Sequence, residues 1–226
     1  MDANMQLPSW DPAALRELHK ASLGGDGSAM APALVLALTS SFGSVERWYD
    51  DLEAVTQGCA SGLIVLVFRP RDGSLINQCS ATIGHASADG VLLLATHGSD
   101  ERPHLNWEAI YGRYQHAVHD ASEHLGAEQG EVPGAQLLDV RRAGVFDAAT
   151  QMLPTAQWRD PGQVGEWGPA LDPEREVVVY CVYGHEVGRA TAMRLRAQGF
   201  RARFLRGGFD GWQSAGLPLV DKGAGG

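Results

Sequence analysis

The chain is poor in cysteine, with three in 226 residues: Cys59, Cys79 and Cys181. None forms a CxxC pair, which excludes the usual zinc-ligand spacings. An odd, sparse set points to a reducing compartment rather than a disulfide framework. No apolar run reaches membrane-spanning length. The start, Met1 to Trp10, lacks the basic segment followed by an apolar one that marks a secretory leader. Basic residues are outnumbered 18 to 27, giving a net charge of −9. Such a chain repels phosphate backbones, so nucleic acid is not expected as a partner. The simplest expectation is a soluble cytoplasmic protein without a membrane partner.

What is present is enough apolar residue, 44%, for one large or two small cores. Alternating apolar runs and helical stretches argue for α/β or α+β architecture. Asp11 reads as an N-cap with Pro12 at the first helical position. Ala31 to Leu38 reads as an apolar helix and Ser41 to Gln57 as another. With Ser44 as its N-cap, the latter places Val45, Trp48, Leu52 and Val55 on one stripe. Leu63 to Phe68, Ser74 to Ile83 and Val91 to Thr96 read as strands, with a hairpin turn at Arg71-Asp72-Gly73. Asn106 to Leu125 is a long helix whose apolar face carries Trp107, Ile110, Tyr111, Tyr114 and Val118.

The polar stretch from Gly126 to Gly134 holds strong breakers, so residues 1–126 are expected as one domain and 127–133 as a linker. Residues 134–220 form the second expected domain, and 221–226 a flexible tail. In the second domain Gln136 to Arg141, Val177 to Tyr180 and Ala202 to Leu205 read as strands. Ala143 to Thr150 and Gly188 to Gln198 read as helices, the latter closed by Gly199. Strand, loop, helix, strand is the pattern of a parallel sheet. Val177 to Tyr180 delivers Cys181 to the carboxyl edge of that sheet, where open α/β sheets put their sites. The loop Val182, Tyr183, Gly184, His185, Glu186, Val187 then enters a helix N-terminus. Free backbone N–H groups and the helix dipole there are expected to lower the thiol's pKa from roughly 8.5 into about the 3.5–7.5 range. Gly184 supplies a residue free to take positive φ.

This stretch resembles the rhodanese family. Leu137-Leu138-Asp139-Val140-Arg141 resembles the family's first-strand signature. Met152-Leu153-Pro154-Thr155-Ala156 resembles its "hIPGA" segment, with Thr155 in place of glycine. The run from Phe204 to Trp212, FLRGGFDGW, resembles its closing "LxGGxxxW". The resemblance implies a central parallel sheet flanked by helices and sulfur transfer through a persulfide on Cys181. It implies no cofactor, and as partners a small-molecule or protein sulfur donor and a thiol acceptor. The Cys-x5-Arg loop of the family's phosphatase relatives would need arginine at 187, which is Val187, so phosphate hydrolysis is disfavoured. Thiosulfate-specific members carry basic residues after the cysteine. Here Glu186 would repel a dianion and only His185 could offset it, so thiosulfate is expected to be a poor donor. Asp139 and Arg141 are expected to pair near the site, with Arg159 as a further candidate for an anion contact.

The first half resembles iron/manganese superoxide dismutases at the junction of their two domains. The most specific match is Phe42-Gly43-Ser44-Val45-Glu46-Arg47-Trp48, against the family's "FGSxExF". The resemblance implies an α+β domain with a small antiparallel sheet. The family's metal takes three histidines and one aspartate, two of these ligands from a "DxWEHxY" segment. After Val91 to Ala95 this chain instead reads Thr96-His97-Gly98-Ser99-Asp100. His19, His85, His97 and His104 are the remaining pieces, and His116 and His119 stand at i, i+3 without a further acid in register. A degenerate domain without its metal is therefore expected, packed against the rhodanese domain or a second copy of itself. Two alternatives to sulfur transfer stand beside it: a non-catalytic partner-binding scaffold, and a residual metal-dependent dismutase.

Overall fold

The structure is a computed structural model that describes residues 12–82, 90–97 and 104–222. Asp11, Ile83, His85, Asp100 and the tail from Gly223 onward lie outside the described residues. Two compact units divide between Ala117 and Val118, with Arg71–Gly73 grouped with the second.

In the first unit, helix α1 (Pro12–Ser22) is followed by α2 (Pro32–Phe42) and α3 (Val45–Gly58). Helix α2 runs past the expected Leu38. It stops where Gly43 takes φ 93, a conformation that costs other residues strain. Ser44 caps α3 as expected, its hydroxyl accepting the Arg47 N–H at 3.1 Å, and Trp48 and Leu52 are buried. Strands β1 (Ile64–Phe68), β2 (Leu75–Cys79) and β3 (Val91–Thr96) form an antiparallel sheet in the order β2-β1-β3. Every residue of central β1 is buried. The second strand ends at Cys79 rather than Ile83, because a 3-10 turn over Ser80–Thr82 follows. Helix α4 (Trp107–Ser122) begins with the Asn106 carboxamide accepting the Ala109 N–H at 3.0 Å. It gives way to a 3-10 turn over Glu123–Leu125, short of the single helix expected to Leu125. Cys59 and Cys79 are joined in a disulfide across a sequence separation of 20, a pairing their sparse distribution did not suggest.

The second unit is built on a five-stranded parallel sheet. Its strands are β4 (Gly126–Ala127), β5 (Gln136–Asp139), β7 (Gln157–Trp158), β8 (Val177–Tyr180) and β9 (Ala202–Leu205), in the order β4-β9-β8-β5-β7. The stretch 127–133, expected as a linker, instead begins with the second residue of edge strand β4, paired with β9, and holds a 3-10 turn over Gln129–Glu131. Helices α5 (Ala143–Ala148), α6 (Val164–Trp167), α7 (Glu186–Ala197) and α8 (Gly208–Ser214) accompany the sheet. A two-stranded antiparallel pair joins β6 (Gln151–Met152) to β10 (Val220–Asp221). Central strand β8 is wholly buried. Leu137, Val178, Tyr180 and Leu205 pack with Leu153 in one cluster. Among the described residues, no helix is long and apolar enough to cross a membrane.

Candidate active site

Cys181 directly follows β8, at the carboxyl ends of the parallel strands. The chain then turns through Val182–His185 into α7. Glu186 and Val187, expected in the loop, are the first residues of that helix. The turn needs Gly184, which has φ 70 as expected. A Cβ there would stand 2.6 Å from the Leu205 carbonyl oxygen and 3.0 Å from the Gly207 nitrogen. The opposite wall is the Gly207-Gly208 turn that begins α8. The Phe209 N–H donates to the Cys181 carbonyl at 2.9 Å and the Asp210 N–H to that of Val182 at 2.9 Å. A Cβ on Gly208 would meet the Cys181 oxygen at 2.5 Å and the Gly184 nitrogen at 2.6 Å. With these carbonyls held outward, the N–H groups of Gly188, Gly184, His185 and Tyr183 face the Cys181 sulfur and favour its anion, and the thiol itself donates toward the His185 carbonyl at 3.9 Å.

Cys181 is only 6% exposed. Burial pushes its thiol above the ordinary value, and the four amides, Gly188 foremost, pull the other way without cancelling it. The expected depression of the thiol pKa is thereby corrected. Helix-terminal amides are present, but the sulfur has lost the water that would solvate its anion. Tyr183, 56% exposed, forms the rim, its ring centroid 5.6 Å from that of His185. His185 is exposed at the N-cap of α7 and makes no side-chain cap bond. Glu186 is buried.

Asp139 and Arg141 form the expected pair. The Arg141 Nε donates to Asp139 Oδ1 at 3.0 Å and Oδ2 at 2.9 Å, and both residues are buried. The Tyr180 hydroxyl donates to the same carboxylate at 2.8 Å and accepts the Leu153 N–H at 3.2 Å. Burial, then the charge of Asp139, pushes the Tyr180 phenol far upward, so it stays a donor. The Arg141 guanidinium lies 4.6 Å from the Phe209 ring centroid, and it is the N–H of that same Phe209 that holds the Cys181 carbonyl. The pair therefore supports the site from behind. Arg159 instead donates to the Trp158 carbonyl and the Gln157 side chain, after β7 at the far edge of the sheet. These bonds do not join it to the loop.

Arg189 stands two residues beyond Val187, the position where a phosphatase loop would need its arginine. In the structure it is buried and donates to the Gly184 carbonyl and to Glu123. No local pattern could reveal a partner 66 residues away. Gly207-Gly208 was visible as a motif, but its contact with Cys181 was not.

In the first unit, His19 Nδ1 lies 3.1 Å from the Ala95 carbonyl oxygen, and its ring meets that of His97 edge-on at 4.7 Å. The His104 side chain is exposed. His116 Nδ1 lies 2.8 Å from the Gly112 carbonyl oxygen. In the second unit, His119, expected to lack an acid in register, pairs with Asp120 at 3.6 Å and Glu123 at 3.4 Å. Among the described residues, no three histidine, cysteine or acidic side chains gather as a metal site. The described histidines, spread over backbone carbonyls and single acidic neighbours, do not form the three-histidine, one-aspartate set that the dismutase resemblance implies for iron or manganese.

Residues 108–215 match the family model described as a rhodanese-like domain. Thiosulfate sulfurtransferase GlpE of Actinobacillus pleuropneumoniae is 35% identical over 101 residues, which is 44% of this chain and 91% of that protein. The first part of the chain is similar to a superoxide dismutase [Fe] of Cupriavidus metallidurans, at 36% identity over 102 residues and 44% of this chain. It spans about half the length of that relative, 51%. Among solved structures, the full-length protein from Lactobacillus plantarum matches at 23% identity with a TM-score of 0.41, covering 46% of this chain and 94% of that one. The coverage of the sulfurtransferase and the matched family model agree, and through its C-terminal half this chain belongs to the rhodanese-like family.

Proposed function

We propose that this chain is a sulfurtransferase that carries sulfane sulfur as a persulfide on Cys181 and passes it to a thiol or cyanide acceptor. The observation that supports this reading is the set of four backbone N–H groups, from Tyr183, Gly184, His185 and Gly188, directed at one buried sulfur. Fixed donors in a water-poor site stabilise developing negative charge without having to reorganise. In the first step the Cys181 thiol loses its proton to solvent, and the sulfur attacks the sulfane sulfur of the donor. An S–S bond forms, and the donor's own bond to that sulfur breaks. The leaving group takes the electron pair, as sulfite if the donor is thiosulfate. In the second step cyanide or a thiolate attacks the outer sulfur, and the Cys181 sulfur recovers the electron pair of the breaking S–S bond. No net oxidant is needed.

The raised thiol sets the pH dependence. The protonated form dominates below the raised value, so persulfide formation should rise with pH past the range where a free thiol would already have levelled off. A rate that is flat from neutral pH upward would contradict this.

The test of the function is mass spectrometry of the intact protein after exposure to a sulfane donor. One added sulfur atom on Cys181, removed by cyanide and absent in Cys181→Ser, is the expected result. No adduct with any donor would leave the partner-binding reading in its place.

A further inference from the structure

We propose that Arg189 is a positioning residue for sulfur transfer, resting on the function just proposed, because it fixes the direction of the peptide that points the His185 N–H at Cys181. The Arg189 Nε donates to the Gly184 carbonyl at 3.0 Å. That carbonyl and the His185 N–H belong to one planar trans peptide, so they point in opposite directions. Gripping the oxygen on one side aims the hydrogen on the other, and this hydrogen is one of the four directed at the sulfur. The backbone of Arg189 adds a second hold, its N–H donating to the His185 carbonyl at 3.1 Å.

The guanidinium is itself held from behind. Its Nη1 reaches Glu123 Oε2 at 2.9 Å, Ser122 Oγ at 3.3 Å and the His119 carbonyl at 3.4 Å. Its Cζ lies 4.1 Å from the Phe204 ring centroid. Arg206 grips the other oxygen of Glu123. Together Arg206 and Arg189 hold the Glu123 carboxyl down to about 2, so it stays charged throughout the working range. The planar fork of arginine can meet the carbonyl and the carboxylate at once, which the single ammonium of lysine cannot do with the same geometry. Glu123 lies in the 3-10 turn before β4, so a segment remote in sequence sets the aim of a loop amide.

The ionisable groups on the elements that frame the sulfur are Tyr183 and His185 in the loop, Glu186 and Arg189 on α7 and Asp210 at the start of α8. The Asp139–Arg141 pair and Tyr180 lie behind. Only Arg189 changes in the test.

Two variants are made in the full chain, Arg189→Gln and Arg189→Lys. The readout is the pH midpoint for alkylation of Cys181 by iodoacetamide, which needs no sulfur donor. Arg189→Gln should raise the midpoint by about one unit and lower the turnover number for cyanide about tenfold, with a smaller change in KM. Arg189→Lys should keep the thermal midpoint near wild type and move the alkylation midpoint part of the way. If the glutamine variant does not fold, the lysine variant decides. An alkylation midpoint unchanged from wild type in the folded variants, even with a lowered melting temperature, would overturn the proposal. Absence of sulfur transfer in wild type would sink the proposed function instead, and the alkylation result would still decide the role of Arg189.

Discussion

The two units use polar side chains in opposite ways. In the C-terminal unit they converge. Arg189 and the Phe209 and Asp210 amides hold loop carbonyls outward, and four loop amides meet at one sulfur. In the N-terminal unit they are dispersed as stitching. His19 lies against the Ala95 carbonyl, Arg113 donates to the Leu93 carbonyl at 2.6 Å and to Ser22 at 3.2 Å, and Asn77 bridges Trp48 and Asp51. The C-terminal unit has the strand, loop and helix order expected of a rhodanese-like domain. A sulfur site needs one side chain and the local backbone, so it travels with the strand-loop-helix that makes it. A four-ligand metal site needs several distant segments brought together at once.

The largest expected effect tests this contrast in both directions. Cys181→Ser should reduce thiocyanate formation to background while the fold persists. Stripping the protein with a chelator should change nothing, and the purified chain should carry no stoichiometric iron or manganese and show no superoxide dismutation. One metal ion per chain by elemental analysis, with dismutation, would break the comparison.

Next in size is Gly208→Ala. Its Cβ would press on backbone atoms of Cys181, Gly184 and Val182, and the φ of 57 is already unfavourable for alanine. A loss of roughly 3 kcal/mol is expected, read as a lower urea midpoint together with a large fall in turnover. Near-normal activity would mean that the loop is not held by the Gly207-Gly208 turn.

The sequence made legible what depends on neighbours in the chain. Val91–Thr96, Val177–Tyr180 and Ala202–Leu205 are strands to the residue, because apolar runs bounded by turn residues mark their own ends. Ser44 as a cap and Gly184 as a positive-φ residue follow from local chemistry as well. Two-residue β4 has no periodicity to read, so its polar surroundings suggested a linker. The Arg189–Glu123 link and the Cys59–Cys79 pairing are fixed by tertiary approach. The direction of the Cys181 shift was missed because the chain order shows the helix terminus but not how little water reaches the sulfur.

Donor selection sharpens the comparison on a finer scale. Glu186 is buried in the first turn of α7, and no lysine or arginine lies between Val182 and Val187. A dianion approaching Cys181 also approaches the Glu186 carboxyl, and like charges repel. Glu186→Gln keeps the shape and removes the charge. The KM for thiosulfate should fall severalfold, while a neutral donor is unaffected. The loss of an acid at a helix N-terminus should cost about 0.5 kcal/mol of stability. Equal effects on charged and neutral donors would show that the residue acts by packing.

The smallest effect concerns Thr155, the one non-glycine residue at positive φ among those described, at 66°. It occupies the third position of the turn Leu153-Pro154-Thr155-Ala156, closed by the Ala156 N–H donating to the Leu153 carbonyl at 3.2 Å. Proline at the second position and positive φ at the third define a type II turn, which favours glycine there. A β-branched residue in that region costs of order 1–3 kcal/mol. Glycine would give back about 0.4–1 kcal/mol through the freedom it adds to the unfolded chain. Thr155→Gly should therefore stabilise by about 1 kcal/mol, read as a higher urea midpoint at unchanged slope. The turn is anchored where the Leu153 N–H meets the Tyr180 hydroxyl, which in turn holds Asp139. Relieving strain at its exposed tip should leave that cluster in place, and turnover should stay at the wild-type level. A gain in stability accompanied by a loss of activity would show that the strain reaches through Tyr180 to Cys181, and the site would then extend one turn further than its hydrogen bonds to the sulfur.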